Sequence, residues 1–179
     1  MLQKHTERII MVILIAGSSH TGKTVLAQKL LERHKWPYLS IDHLKMGLIR
    51  SGQTGLTPED DPELTAYLWP IVREMVKTAI ENEQNLIVEG VYIPPDWREG
   101  FGREYLEHIE YVCLIMTREY IEGHREDILG HGSDIERRLE DSVDWDGLVR
   151  ENEENLRRCR ELGERYVLID GEYGADLRL

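Results

Sequence analysis

Cysteine occurs only twice in 179 residues, at Cys113 and Cys159, so neither a disulfide framework nor a paired-cysteine zinc site is available. Cys113 lies in the apolar run Tyr111–Met116, where a small buried thiol is the ordinary reading. Long hydrophobic runs are lacking as well. The longest strongly apolar one, Ile9–Ala16, is about half of what a membrane span requires, and it lacks the cleavage-site pattern of a secretory leader. These absences predict a cytoplasmic protein that engages no membrane. Repeats, low-complexity tracts and long linkers are missing too, and with this length that predicts one domain over residues 1–179. Basic residues are in deficit, 22 Lys and Arg against 34 Asp and Glu, for a net charge of −12. Duplex nucleic acid demands a basic footprint, so nucleic acid is not expected as a partner and small molecules are.

What is present is a folded composition, 41% hydrophobic and 31% charged. The charge is uneven: residues 1–50 hold eight basic and three acidic side chains, leaving 14 and 31 for the rest. An anion is therefore expected near the N-terminal part. Apolar, β-branched runs alternate with segments of helical period, the signature of βαβ units around a parallel sheet. Five strands are predicted, at Ile9–Ala16, Tyr38–Ile41, Leu86–Val88, Tyr111–Met116 and Arg165–Ile169. All are short and unalternating, as strands covered on both faces should be.

Helices are predicted over Lys23–His34, from Asp42 onward, and from Pro62 to about Glu83. The third has a stripe of Leu64, Leu68, Ile71, Val72, Met75 and Ala79, with Asp61 as N-cap and a kink or restart at Pro70. A last helix, carrying Leu148, Leu156, Cys159 and Leu162, should stop at Gly163. In the polar stretch 118–144, two helical turns flank Gly130-His131-Gly132, and Ser133-Asp134-Ile135-Glu136 is a capping box.

Directly after the first strand stands Gly17-Ser18-Ser19-His20-Thr21-Gly22-Lys23-Thr24, a G-x-x-x-x-G-K-T pattern that opens a helix. Its glycines let successive backbone N–H groups converge on phosphate, and the helix N-terminus adds a positive dipole end. Lys23 supplies charge for the β and γ phosphates, and the Thr24 hydroxyl can ligate Mg²⁺. Three strands end in a carboxylate that could hold that metal or act on an acceptor: Asp42, Glu89 and Asp170. Asp42 is either a helix N-cap or a general base facing an acceptor hydroxyl. Glu89, followed by Gly90, is either a turn residue or a metal-side acid.

These features resemble the small P-loop kinases, the group of adenylate, shikimate and gluconate kinases, chloramphenicol phosphotransferase and zeta toxins. The stretch Asp42-His43-Leu44-Lys45-Met46 with Arg50 is also similar to proteins grouped with 2-phosphoglycerate kinase. The resemblance implies a three-layer α/β fold, a five-stranded parallel sheet in the order 2-3-1-4-5 with helices on both faces, and a small helical lid over about 118–144. It implies ATP as co-substrate with Mg²⁺, Glu89 near the metal, Asp42 facing the acceptor, and Asp170 structural.

An acceptor region over about 42–83 would present Lys45, Arg50 and Arg73, joined by Tyr92, Pro94, Pro95 and Trp97 after the third strand. Those cations suit an anionic metabolite, although a solvated helix face would look the same. Among the arginines of the polar stretch, Arg118, Arg125, Arg137 and Arg138, the first is offered no specific role; Arg125 is assigned to ATP phosphate, and Arg137 and Arg138 to charge developing in transfer. Pairing with Glu136, Glu140 and Asp141 is the competing reading. The expected activity is transfer of the ATP γ-phosphoryl group to a small acceptor. The alternatives are a nucleotide switch and a zeta-toxin-like kinase acting on a nucleotide sugar. A guanine-selective N-K-x-D is absent, and the D-x-x-G matches at Asp127 and Asp144 fall outside strand ends.

Overall fold

The computed structural model describes residues 12–131 and 143–171. The chain begins with β1 (Val12–Gly17) and α1 (Lys23–His34), followed by β2 (Tyr38–Ser40) and α2 (Ile41–Arg50). Next come α3 (Asp61–Glu81), β3 (Leu86–Glu89), a short α4 (Arg103–Leu106) that the sequence pattern did not reveal, and β4 (Ile109–Met116). Two short helices, α5 (Arg118–Gly123) and α6 (Arg125–His131), precede α7 (Trp145–Leu162) and β5 (Tyr166–Ile169). The strands form one sheet in the order β2-β3-β1-β4-β5, every pair parallel, as expected.

The missing alternation has a direct cause in β1, β3 and β4, since successive side chains of a strand enter opposite faces and both are covered there, whereas the edge strands β2 and β5 are only partly buried, with Leu168 exposed. Val12, Leu14 and Ala16 of β1 pack with α3 residues Leu64, Leu68 and Val72 on one face. Ile13 and Ile15 pack with Leu26 and Leu30 of α1 on the other.

Several local expectations shift. The buried row of α3 is Leu64, Leu68, Val72, Val76 and Ile80, and Met75 is 39% exposed. Four-residue spacing keeps this row on one line along a helix that presses flat on the sheet. The helix runs unbroken through Pro70, which lies on its exposed side. Asp60, not Asp61, holds the N-cap position, and its carboxylate accepts from Thr57 N (2.7 Å) and Thr57 Oγ1 (3.0 Å). Among the described residues of the polar stretch a break falls at His124, between α5 and α6, and Gly130 is helical, while Gly132 lies outside them. Thr117 sets the start of α5 by accepting from Tyr120 N. Asp144-x-x-Gly147 is the N-cap of α7, with Asp144 Oδ1 accepting from Gly147 N at 2.9 Å. Gly163, at φ 67°, ends that helix as predicted, although Leu162 is 47% exposed. Ile9 to Met11, the 133–136 capping box, Arg137 and Arg138 lie outside the described residues.

Candidate active site

β1 delivers the chain to the carboxyl edge of the sheet, and the loop between it and α1 turns back on two left-handed glycines, Gly17 at φ 138° and Gly22 at φ 81°. A methyl on Gly17 would lie 2.4 Å from Leu114 O and 2.9 Å from Thr21 Oγ1, so only glycine fits there. Gly22 is the N-cap of α1, with no side chain capping the helix and no acid in its first turn. The N–H groups and the dipole end stay available to an anion. Inside the loop, Thr21 Oγ1 and Lys23 Nζ donate to Ser18 O at 2.9 and 2.7 Å. Thr21 thus acts by pinning the loop.

The loop forms one end of a cleft of about 720 Å³. Gly17, Ser18, Ser19, His20, Lys23 and Thr24 line that end. Asp42, Lys45 and Arg50 of α2, with Glu89 and Tyr92, line it too, so most of the predicted site residues converge although they span 76 positions, from 17 to 92. Asp42 is the second residue of α2, after Ser40 at the N-cap position, and its carboxylate pairs with Lys45 Nζ at 2.7 Å. It is therefore not the helix cap. Glu89 is the last residue of β3, 1% exposed, in register with Ile15 and Ser40, which makes it a strand-end acid and not a turn residue.

Lys45 Nζ also donates to Tyr92 OH (3.0 Å), and Tyr92 OH donates to Asp61 Oδ1 (3.0 Å). Burial opposes the Lys45 ammonium, but its hydrogen bonds to Asp42 and Tyr92 outweigh that and hold its pKa above the ordinary value. Arg50, exposed at the end of α2, makes no ion pair with any described residue, so it is available to an anion.

Other predicted residues go elsewhere. Arg73 pairs with Glu74 and packs against Gly100, away from the cleft. Trp97 is fully buried and stacked on Tyr111 at 5.5 Å, so it belongs to the core. Arg125 lies over the Trp145 ring at 5.2 Å, and Arg118 is on Glu153 at 2.7 Å. Asp170 is exposed and does not line the cleft.

Sequence reasoning missed the α7 wall. Glu151 and Asn155 line the cleft, and Asn155 Nδ2 donates to Ser18 Oγ at 3.0 Å. Burial, reinforced by Asp61, pushes the Glu151 carboxyl up. Only their i,i+4 spacing on α7 hinted at a shared face.

Among the described residues no three His, Cys, Asp or Glu side chains gather as a metal-binding group. Thr24 and Glu89 nevertheless offer hard oxygen donors in the cleft that holds the phosphate loop. Mg²⁺ in phosphate sites takes one or two such groups beside phosphate oxygens and water, so this donor set fits an ion brought in with nucleotide.

No family model and no curated protein matches the sequence. Solved structures do. A gluconokinase from Sinorhizobium meliloti superposes with a TM-score of 0.51 at 15% identity, over 93% of this chain and 86% of its own. A sugar kinase from Janibacter sp. gives 0.52 at 14% identity, over 90% and 85%. A chain of the Pnkp1/Rnl/Hen1 RNA repair complex gives 0.55 at 12% identity, over 88% of this chain but 49% of that one. At such identities the similarity is one of fold: the chain is built as a five-stranded P-loop kinase fold, the fold of the gluconokinase and the sugar kinase.

Proposed function

We propose that this chain is an ATP-dependent phosphotransferase, acting on a hydroxyl of a small metabolite that also carries an anionic group. The observation that supports this most is that the phosphate loop and Asp42 open onto one cleft. The loop N–H groups and Lys23 bind and orient the phosphates. Mg²⁺, held by Thr24 and Glu89 when nucleotide is bound, would supply charge neutralisation at the β and γ oxygens. Asp42 keeps one oxygen on Lys45 and has the other to accept the acceptor proton. The acceptor oxygen forms the new bond to the γ-phosphorus, the bond to the bridging oxygen breaks, and ADP leaves. Asp42 takes the hydroxyl proton. Arg50, two turns along α2 from Asp42, would grip the anionic group of the acceptor.

Acceptor-stimulated ADP release, scored over a panel of hydroxylated metabolites with Mg·ATP, tests the reading. Lys23→Ala should abolish Mg·ATP binding, and Asp42→Asn should remove transfer while leaving Mg·ATP affinity nearly intact. Full transfer by Asp42→Asn, or Mg·GTP binding far more tightly than Mg·ATP, would overturn it.

A further inference from the structure

Tyr92 is 2% exposed and lies between two charged groups of the acceptor end, accepting from Lys45 Nζ and donating to Asp61 Oδ1, each at 3.0 Å. Lys45 continues the line to Asp42 Oδ1 at 2.7 Å. A carboxylate only accepts and an ammonium only donates, so every bond in this line has a fixed direction. Asp61 draws the phenol O–H toward itself, which leaves the phenol lone pairs for Lys45. Lys45 then aims another N–H at Asp42. We infer that Asp61 and Tyr92 are positioning residues which, through Lys45, hold Asp42 with its second oxygen toward the acceptor hydroxyl.

This inference rests on the phosphotransferase reading above, and it gives Lys45 a task other than anion recognition. It also accounts for Asp61, which Asp60 displaces from the capping position. The four groups come from three parts of the fold: Asp42 and Lys45 from α2, Asp61 from α3, and Tyr92 from the segment after β3. Glu151 of α7 and Lys23 of the loop are the other charged groups that act at this end, Glu151 in electrostatic contact with both Asp61 and Lys23. Burial pushes the Tyr92 phenol up to about 12 against the pull of Lys45, and Lys45 itself is raised. Both protons therefore stay in place over about pH 5 to 9, and the line keeps its direction throughout.

The test compares Tyr92→Phe, Asp61→Ala, their combination and Asp61→Asn with the parent chain. Three readouts are needed: kcat and KM for the acceptor, the Kd of Mg·ATP, and the titration of Lys45 followed by NMR of labelled lysine side chains. Tyr92→Phe and Asp61→Ala are each expected to lower kcat by about 10- to 100-fold, with Mg·ATP Kd changed by less than about twofold. The double variant should be no worse than the worse single, because groups in one line fail together. Asp61→Asn, whose amide oxygen still accepts from Tyr92, should recover most of the loss. The Lys45 midpoint should fall in Tyr92→Phe, an effect that loss of packing alone does not produce. Losses that multiply in the double variant, a change confined to KM, or an unmoved Lys45 titration would each overturn the inference. Should Tyr92→Phe fail to fold, as judged by lost Mg·ATP binding, Asp61→Ala carries the same comparison. The titration needs no substrate, so a parent chain that transfers nothing would sink the phosphotransferase reading while the line is still judged by Lys45.

Discussion

Asn155 Nδ2 donates a hydrogen bond to Ser18 Oγ at 3.0 Å, joining α7 to the phosphate loop across 137 positions of sequence. The Ser18 carbonyl already accepts from Thr21 and Lys23, so this one residue ties the loop inward and outward. Asn155→Ala should weaken Mg·ATP binding by about fivefold, the equivalent of one ordinary hydrogen bond. Calorimetric titration reads this directly. Melting should be nearly unchanged, because Asn155 is only partly buried.

Gly17→Ala should do far more harm. The new methyl would meet a backbone oxygen of β4 at 2.4 Å, at a φ of 138° that L side chains rarely adopt. The strand cannot retreat without breaking its pairing with β1. A loss of about 3 kcal/mol in urea unfolding is expected, with no measurable nucleotide binding.

Glu151→Gln should stabilise the protein at neutral pH. Burial first, then Asp61, raises the Glu151 carboxyl above its unfolded value. The native state therefore binds this proton more readily, and the stability the group contributes is present at low pH and lost as pH rises through the raised pKa. Glutamine removes that loss. Its advantage in Tm should be small at pH 7, because Glu151 is exposed and water screens its charge, and should vanish below about pH 4. An equal gain at both pH values would show that charge is not the cause.

Asn152 is 1% exposed, accepts from Met116 N at 2.8 Å and donates to Leu148 O at 2.8 Å. β1 ends opposite Leu114, two positions before Met116, so Asn152 supplies the acceptor that a longer β1 would have given the end of β4. Asn152→Ala leaves that N–H buried without its acceptor and should cost about 2 kcal/mol in chemical unfolding.

Glu89→Gln retains the size of the side chain but removes its charge in a site where the strand-end acid is 1% exposed. On the proposed metal role, the Mg²⁺ concentration needed for half-maximal ATP binding should rise by about tenfold. An unchanged Mg²⁺ requirement would argue for a purely structural Glu89.

Short-range features are legible in the sequence. β1, the glycine-bearing loop and α1 lie within 23 consecutive positions, 12 to 34, and each is set by contacts between near neighbours. The same holds for the Gly163 stop. The α3 stripe went astray at Met75 because periodicity alone cannot tell which of two adjacent rows meets the sheet. Val76 meets it, and Met75 remains 39% exposed.

Partner choice was not legible in this way. Lys45, Arg50 and Arg73 are equivalent as cations in a sequence, and although the Lys45–Asp42 and Arg73–Glu74 pairs are local, only packing brings Tyr92 to Lys45 across 47 positions and leaves Arg50 without a described partner. Trp97 and Tyr92, five positions apart, divide between the core and the cleft. Residue type and spacing therefore specify elements and a phosphate-binding loop, since backbone geometry and hydrogen bonding are satisfied locally. Which side chains face the cleft, and which hydrogen bonds tie its walls together, depends on segments 31 to 137 residues apart being brought together. Only the assembled sheet with its covering helices does that, because the free energy of a polar contact depends on burial and distance and not on order along the chain.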